Sequence, residues 1–356
     1  MTIGRLDHTA TLLTDGRVLI GAGGDTSADL YDPKTGEFSS TGSMSGPRYG
    51  ATATLLSDGS VLVAGGYAGG VLASAELYDP RSGRFTPTGS MKDGRSKATA
   101  TLLSDGRVLI AGGYPGSGTA NAEGRGTRLE PRLAAIYPST IPRLNSRASA
   151  ELYDPQTGKF TTTGSMTAAR MDHTAALLPD GRVLIAGGVS DIVYFTPLAS
   201  SELYDPSTGK FTATGSMTER RGAQTATLLS NGRVLVAGGA GEPIKGQGTF
   251  FASAELFDPK TGKFTATGSM KEGGVSGTAA LLSDGRVLVV GGYGGSKLLA
   301  SAELYDPATG MFTAAGRMAT ARSSHTATRL QDGRVLIVGG LDAASNPIIS
   351  AELFQP

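Results

Sequence analysis

The sequence contains no cysteine and no tryptophan, and aromatic residues make up only 6% of it. Without cysteine there can be no disulfide, thiolate metal site or cysteine nucleophile, and nothing indicates the redox compartment. Neither sign of charge dominates: 32 Lys and Arg stand against 31 Asp and Glu, so no overall field favours nucleic acid or anionic lipid. No apolar run reaches the roughly 20 residues of a membrane-crossing helix. The opening residues do not read as a leader peptide. Serine-hydrolase and phosphate-loop motifs are missing, as is a Glu-xxx-Asp-xxx-His iron spacing. Convincing helical periodicity is missing too.

What the chain has in quantity is glycine, 53 residues of 356. It follows no three-residue period and falls between short apolar runs, where turns are expected. Glycine pairs close at Gly24, Gly66, Gly113, Gly188, Gly239, Gly292 and Gly340. An acidic residue in an (A/S)(D/E)L(Y/F) string follows each: Asp29, Glu76, Glu151, Glu202, Glu255, Glu303 and Glu352. From each of the first six acids to the next glycine pair is always 37 positions, as from Asp29 to Gly66. From pair to acid the gap ranges from 5 to 38. A rigid unit has been copied seven times, with its length variation confined to one loop.

The constant unit holds four extended runs. "HTATLL" ends in Asp-Gly, read as a two-residue hairpin turn because both residues tolerate positive φ. "RVLIAGG" is apolar on successive residues, as a strand buried on both faces should be. "SAELYD" ends in DPxTG, with proline fixing φ and glycine taking the left-handed position. "KFTATGSM" carries a packing aromatic (Phe38, Phe85, Phe160, Phe211, Phe264 and Phe312). Units of this kind cannot bury their faces alone, which predicts an all-β, seven-bladed β-propeller of four-stranded antiparallel blades. Residues 1–356 then form a single propeller, with a long second–third strand insertion at 114–149 in blade 3. The chain stops after a third strand, so the last blade is expected to lack its outer strand. Either the ring closes edge to edge or the chain is part of something longer.

The Gly-Gly pair, the strand-three tyrosine and the strand-four aromatic resemble the kelch repeat over essentially the whole chain. Phe stands where kelch strand four usually has tryptophan, and the Thr-rich form is similar to bacterial kelch proteins. The resemblance implies a propeller whose second–third loops and blade linkers bind partners. The copper-radical galactose oxidases of this fold need a tyrosine cross-linked to cysteine, which the absence of cysteine excludes.

Positions shared by all units are scaffold, and departures from the repeat are the candidates for function. The loop face carries Arg5, Arg48, Arg95, Arg170, Arg221 and Arg322, with Gly274 as the exception. They fit a collar offering forked donors to acidic groups, or pairing with the recurring strand-three acids. His8, His173 and His325 each lie three residues after such an arginine. Metal ligation and a polar role at the channel mouth both fit them, and no metal is assigned. Tyr67, Tyr114 and Tyr293 follow glycine pairs at the loop mouths and suit peptide or sugar contact, or local packing. The 114–149 insertion is arginine-rich, with Arg125, Arg128 and Arg132 as further candidates for an acidic partner.

Three functions remain open. The first is a non-catalytic binding scaffold for a protein or glycan, monomeric and without cofactor. The second is a carbohydrate-acting enzyme resembling sialic-acid mutarotases. The third is a structural segment of a larger secreted or surface protein.

Overall fold

Seven antiparallel sheets succeed one another along the chain in the computed structural model, which describes residues 1–116, 146–191, 195–244 and 247–356. Blade 1 is built from Thr9–Leu12, Val18–Gly21, Asp29–Asp32 and Glu37–Ser40, hydrogen-bonded in sequence order. Blades 2 to 6 repeat this order. Blade 7 has three strands, Thr326–Arg329, Val335–Val338 and Ala351–Phe354. In blade 5 the second–third connection forms its own hairpin, Ala240–Ile244 with Gln247–Phe250. The fold is thus a seven-bladed propeller, with no helix among the described residues.

Burial follows strand position. The second strands are buried throughout in blades 1 to 5 and 7, as their unbroken apolar runs require. The innermost strands are half-buried around the central channel, and the outer strands of blades 1 to 5 expose three of every four residues. Between neighbouring blades lies an apolar seam. At the seam between blades 1 and 2, Leu19 and Leu30 pack with Val61, Val63 and Tyr78. At the ring closure, Leu330, Leu336 and Val338 of blade 7 pack on Val18, Ile20 and Tyr31 of blade 1. Each fully buried side chain of this size contributes about 1.5–3 kcal/mol.

Two local expectations need correction. The Asp-Gly turn has three loop residues, not two. Leu13 N–H donates to Arg17 O and Gly16 N–H to Leu13 O, with only Gly16 at positive φ, 89°. That is a type I turn closed by a left-handed glycine; the Asp15 carboxylate accepts from the Arg17 backbone N–H instead of Asp15 itself turning left-handed. In blade 1 the residues playing the glycine pair are Ala22 and Gly23, one earlier than the Gly23–Gly24 pair of the sequence: the carbonyl that Arg5 grips is that of Ala22.

The reason for the pair is the approach of the next blade. Gly66 N–H donates to the Arg95 carbonyl at 2.9 Å, and a Cβ on Gly65 would lie 2.4 Å from that same oxygen. The corresponding bond recurs at every seam, including Gly340 to Arg5 across the ring closure, at 2.8 Å.

Candidate functional site

The six repeated arginines belong to the interior. Each is at most 1% exposed. In blade 4, Arg170 Nη1 donates to the carbonyls of Gly187 and Ser200 at 2.8 and 3.0 Å, and Nη2 to the Ser200 hydroxyl and the Glu202 carboxylate at 3.3 and 2.8 Å. Arg5, Arg48, Arg95, Arg221 and Arg322 likewise reach Asp29, Glu76, Glu151, Glu255 and Glu352, at distances from 2.8 to 3.4 Å. Each acid also accepts one or two backbone N–H groups of the linker, such as Thr167 and Ala168 on Glu202 and Ser45 on Glu76. The guanidinium groups tie linker, glycine pair and third strand together. A collar of surface donors is therefore corrected to a buried ladder: the fork that would grip an acidic ligand is filled by the protein's own carbonyls and carboxylates.

The three histidines line the channel mouth but face the preceding blade. His8 Nε2 meets the Thr326 hydroxyl at 3.0 Å, His173 that of Thr99 at 2.9 Å, and His325 that of Thr278 at 3.0 Å. In blade 5, Gln224 takes the same place and donates to Ala186 O at 2.9 Å. Burial, with the neighbouring arginine charge second, lowers the histidine pKa values to about 4 for His8 and about 3 for His173 and His325. They are neutral struts between blades at pH 7. Among the described residues no three His, Cys, Asp or Glu side chains form a metal-binding group.

Between each arginine and its histidine-position neighbour lies a residue that the repeat did not single out. Asp7, Gly50, Lys97, Asp172, Ala223, Ser276 and Ser324 all adopt φ between 47° and 60°. Their backbones form a closed ring, one residue per blade, in which each N–H donates to the preceding blade's carbonyl at 2.8 to 3.4 Å, ending with Asp7 on Ser324. The left-handed conformation directs each N–H along the ring, and all of these residues except Gly50 line the channel mouth. Side-chain identity varies from blade to blade here, and no β-branched residue occurs. Lys97 Nζ lies 3.4 Å from Asp7 and 3.8 Å from Asp172, with all three side chains about one-fifth exposed. The two carboxylates raise the lysine pKa, so it stays charged. With His8, His173, Gln224, Ser276, Ser324 and His325 they line an open cavity of about 270 Å³. The identity column Asp, Gly, Lys, Asp, Ala, Ser, Ser, free of β-branched residues, was the available signal.

The tyrosines are half-buried and bonded into the loop bases. Tyr67 pairs its backbone with Tyr49 and Val71, Tyr114 with Ser96, and Tyr293 with Val275 and Leu298. The Tyr293 hydroxyl donates to Gly295 O, and its ring meets Phe250 edge-on with centroids 5.6 Å apart. Arg125, Arg128 and Arg132 lie outside the described residues. At the returning end of that insertion, Arg147 donates to Gly94 O at 3.0 Å, and the Ser146 hydroxyl to Val189 O of blade 4 at 2.6 Å.

No curated protein matches this sequence. A fungal alcohol oxidase described as a novel member of the AA5 family with catalytic diversity, in complex with copper, is similar in structure. The TM-score is 0.73 at 20% sequence identity, over 95% of this chain and 70% of that one; at that identity the likeness concerns the fold. The Kelch motif matches residues 47–92 and 274–318, which contain all four strands of blade 2 and all four of blade 6. The chain is thus a seven-bladed β-propeller that carries the Kelch motif at two sites, in blades 2 and 6.

Proposed function

We propose that this chain is a non-catalytic binding propeller whose ligand sits over the channel mouth on the long-loop face, anchored by Asp7, Lys97 and Asp172. The observation that carries the reading is the location of the asymmetry. Arginines, acids, glycine pairs and apolar seams repeat and are consumed by the fold. The left-handed ring and the second–third loops vary, and the linker residue before each ring position in blades 2 to 7 bridges to the base of such a loop, as Tyr49 does to Tyr67. A cavity of about 270 Å³ walled by carboxylates, an ammonium, hydroxyls and imidazoles, with no Phe or Tyr in its lining, suits the hydroxyls of a glycan end better than an apolar peptide side chain. The mouth carries one net negative charge from the triad, so an acidic ligand is not favoured there.

The enzymatic alternative, a carbohydrate-acting propeller, needs an acid–base pair poised on substrate. Asp7 and Asp172 are engaged with Lys97, and the histidine Nε2 atoms with threonines. The residues do not fit a copper centre like that of the fungal oxidase: the chain has no cysteine, and its histidines are dispersed among blades 1, 4 and 7 and hold hydroxyls. A glycan array with the parent and with Asp7→Ser/Lys97→Gly/Asp172→Ser tests the proposal. The variant borrows residues that other blades carry at this position. Loss of glycan binding with the melting temperature retained supports the reading. Equal binding by both proteins, or turnover of a bound sugar, overturns it.

A further inference from the structure

Blade 6 interrupts the arginine ladder. Gly274 stands where six blades carry arginine, and Gly277 where they carry His, Gln or Ala. Between blades 5 and 6 there is a cavity with about 20 Å³ of room for a water-sized guest, lined among others by Gly238, Gly274, Gly277, Gly291, Ser301 and Glu303. That is enough for one particle the size of a water molecule. Ala223 and Gly277 also line the channel cavity, which gives an entry route.

The acceptors that hold a guanidinium in the sister blades are all retained. Gly291 corresponds to Gly187, Ser301 to Ser200, and Glu303 to Glu202, the residues that bind Arg170 in blade 4. The Ser301 carbonyl still accepts the Gly291 N–H at 3.0 Å. Glu303 is 7% exposed and accepts the Lys271 backbone N–H on both oxygens, at 3.1 and 2.9 Å. No cationic side chain reaches it among the described residues. The nearby Glu272 is already neutralised by Lys297 at 2.8 Å, and this ammonium and the Ser301 hydroxyl hold its carboxyl below the usual range. One buried negative charge is left without a counter-charge, an arrangement the other blades avoid and one that is costly in a protein interior.

We propose that this cavity binds a monovalent cation of ammonium or potassium size through the carbonyls of Gly291 and Ser301 and the carboxylate of Glu303. A single charge matches the one unpaired carboxylate, and the oxygen-only donor set suits a hard cation. Magnesium is disfavoured because it retains several waters, for which there is no room. The ion takes the electrostatic place of the missing arginine at this seam.

The test is thermal denaturation in potassium, ammonium or choline chloride at equal ionic strength, choline being too large for the cavity. The parent is expected to melt about 2 °C higher in potassium or ammonium than in choline. Glu303→Gln removes the charge and Gly274→Arg supplies an internal one, so both variants are expected to lose the increment. The Cβ added at Gly274 meets Leu299 Cδ1 at 2.9 Å; should that variant not fold, Glu303→Gln carries the test. Equal melting of the parent in all three salts, as for a site holding only water, overturns the proposal. So does an increment that persists in Glu303→Gln.

Discussion

Replacing His8, His173 and His325 with glutamine, the residue blade 5 already carries as Gln224, is expected to abolish most of the stability loss between about pH 7 and pH 5. The folded protein holds these histidines neutral down to about pH 4 for His8 and about pH 3 for the other two. In the unfolded chain they titrate near 6.5. Below that value the unfolded state binds protons that the folded state refuses, so stability falls as pH falls, until the folded values are reached. At pH 5 each histidine costs about 2 kcal/mol, and three separate sites about 6 kcal/mol, a large share of a typical domain stability of roughly 5–15 kcal/mol. Most carboxylates titrate lower, which leaves the window to the histidines. Urea denaturation of parent and triple variant at both pH values measures it. The parent should lose several kcal/mol and the variant a small fraction of that. Equal losses in the two proteins would refute the burial and neutrality of the struts.

Arg95→Ala leaves Glu151 buried without its cation and is expected to cost about 3–5 kcal/mol by denaturant titration, with Arg95→Met/Glu151→Leu recovering most of it. A fourth strand copied from residues 306–318 and appended after Phe354 should pair the exposed edge of blade 7, where Leu353 is 41% exposed. Calorimetry and sedimentation should then show a higher melting temperature and less self-association; no change in either would mean the edge is already covered. Shortening the insertion by removing residues 117–145 should alter stability by only about 1 kcal/mol, because loop-closure entropy grows logarithmically with length. A much lower melting temperature would show that these residues brace the ring.

The blade count was readable because the 37-position spacing records a rigid unit, and successive apolar residues in strand two have only one satisfactory placement, between two packed neighbours. The missing strand of blade 7 was readable for the same reason. The length of the Asp-Gly turn was not: Asp-Gly serves both two- and three-residue hairpins, and the choice depends on whether Leu13 pairs with Arg17. The arginines lay on the right segment, but their environment is set by partners 24 to 56 positions away, such as Asp29 for Arg5 and Glu151 for Arg95. Sequence regularity suggested pairing without excluding exposure. In the sequence Asp7 and Asp172 simply precede His8 and His173, and nothing in the repeat marks Lys97 as a site residue. What unites them is a left-handed backbone, which residue type signals weakly unless glycine or asparagine occupies it.

Arginine-specific labelling of the folded protein with phenylglyoxal, read out by peptide mass spectrometry, tests most directly the claim that the repeated residues are scaffold. Arg5, Arg48, Arg95, Arg170, Arg221 and Arg322, none more than 1% exposed, should be protected, while Arg220, whose side chain is 63% exposed, should react readily. Labelling of the six at the rate of Arg220, with the protein still folded, would contradict the account and restore the arginine collar as a binding surface.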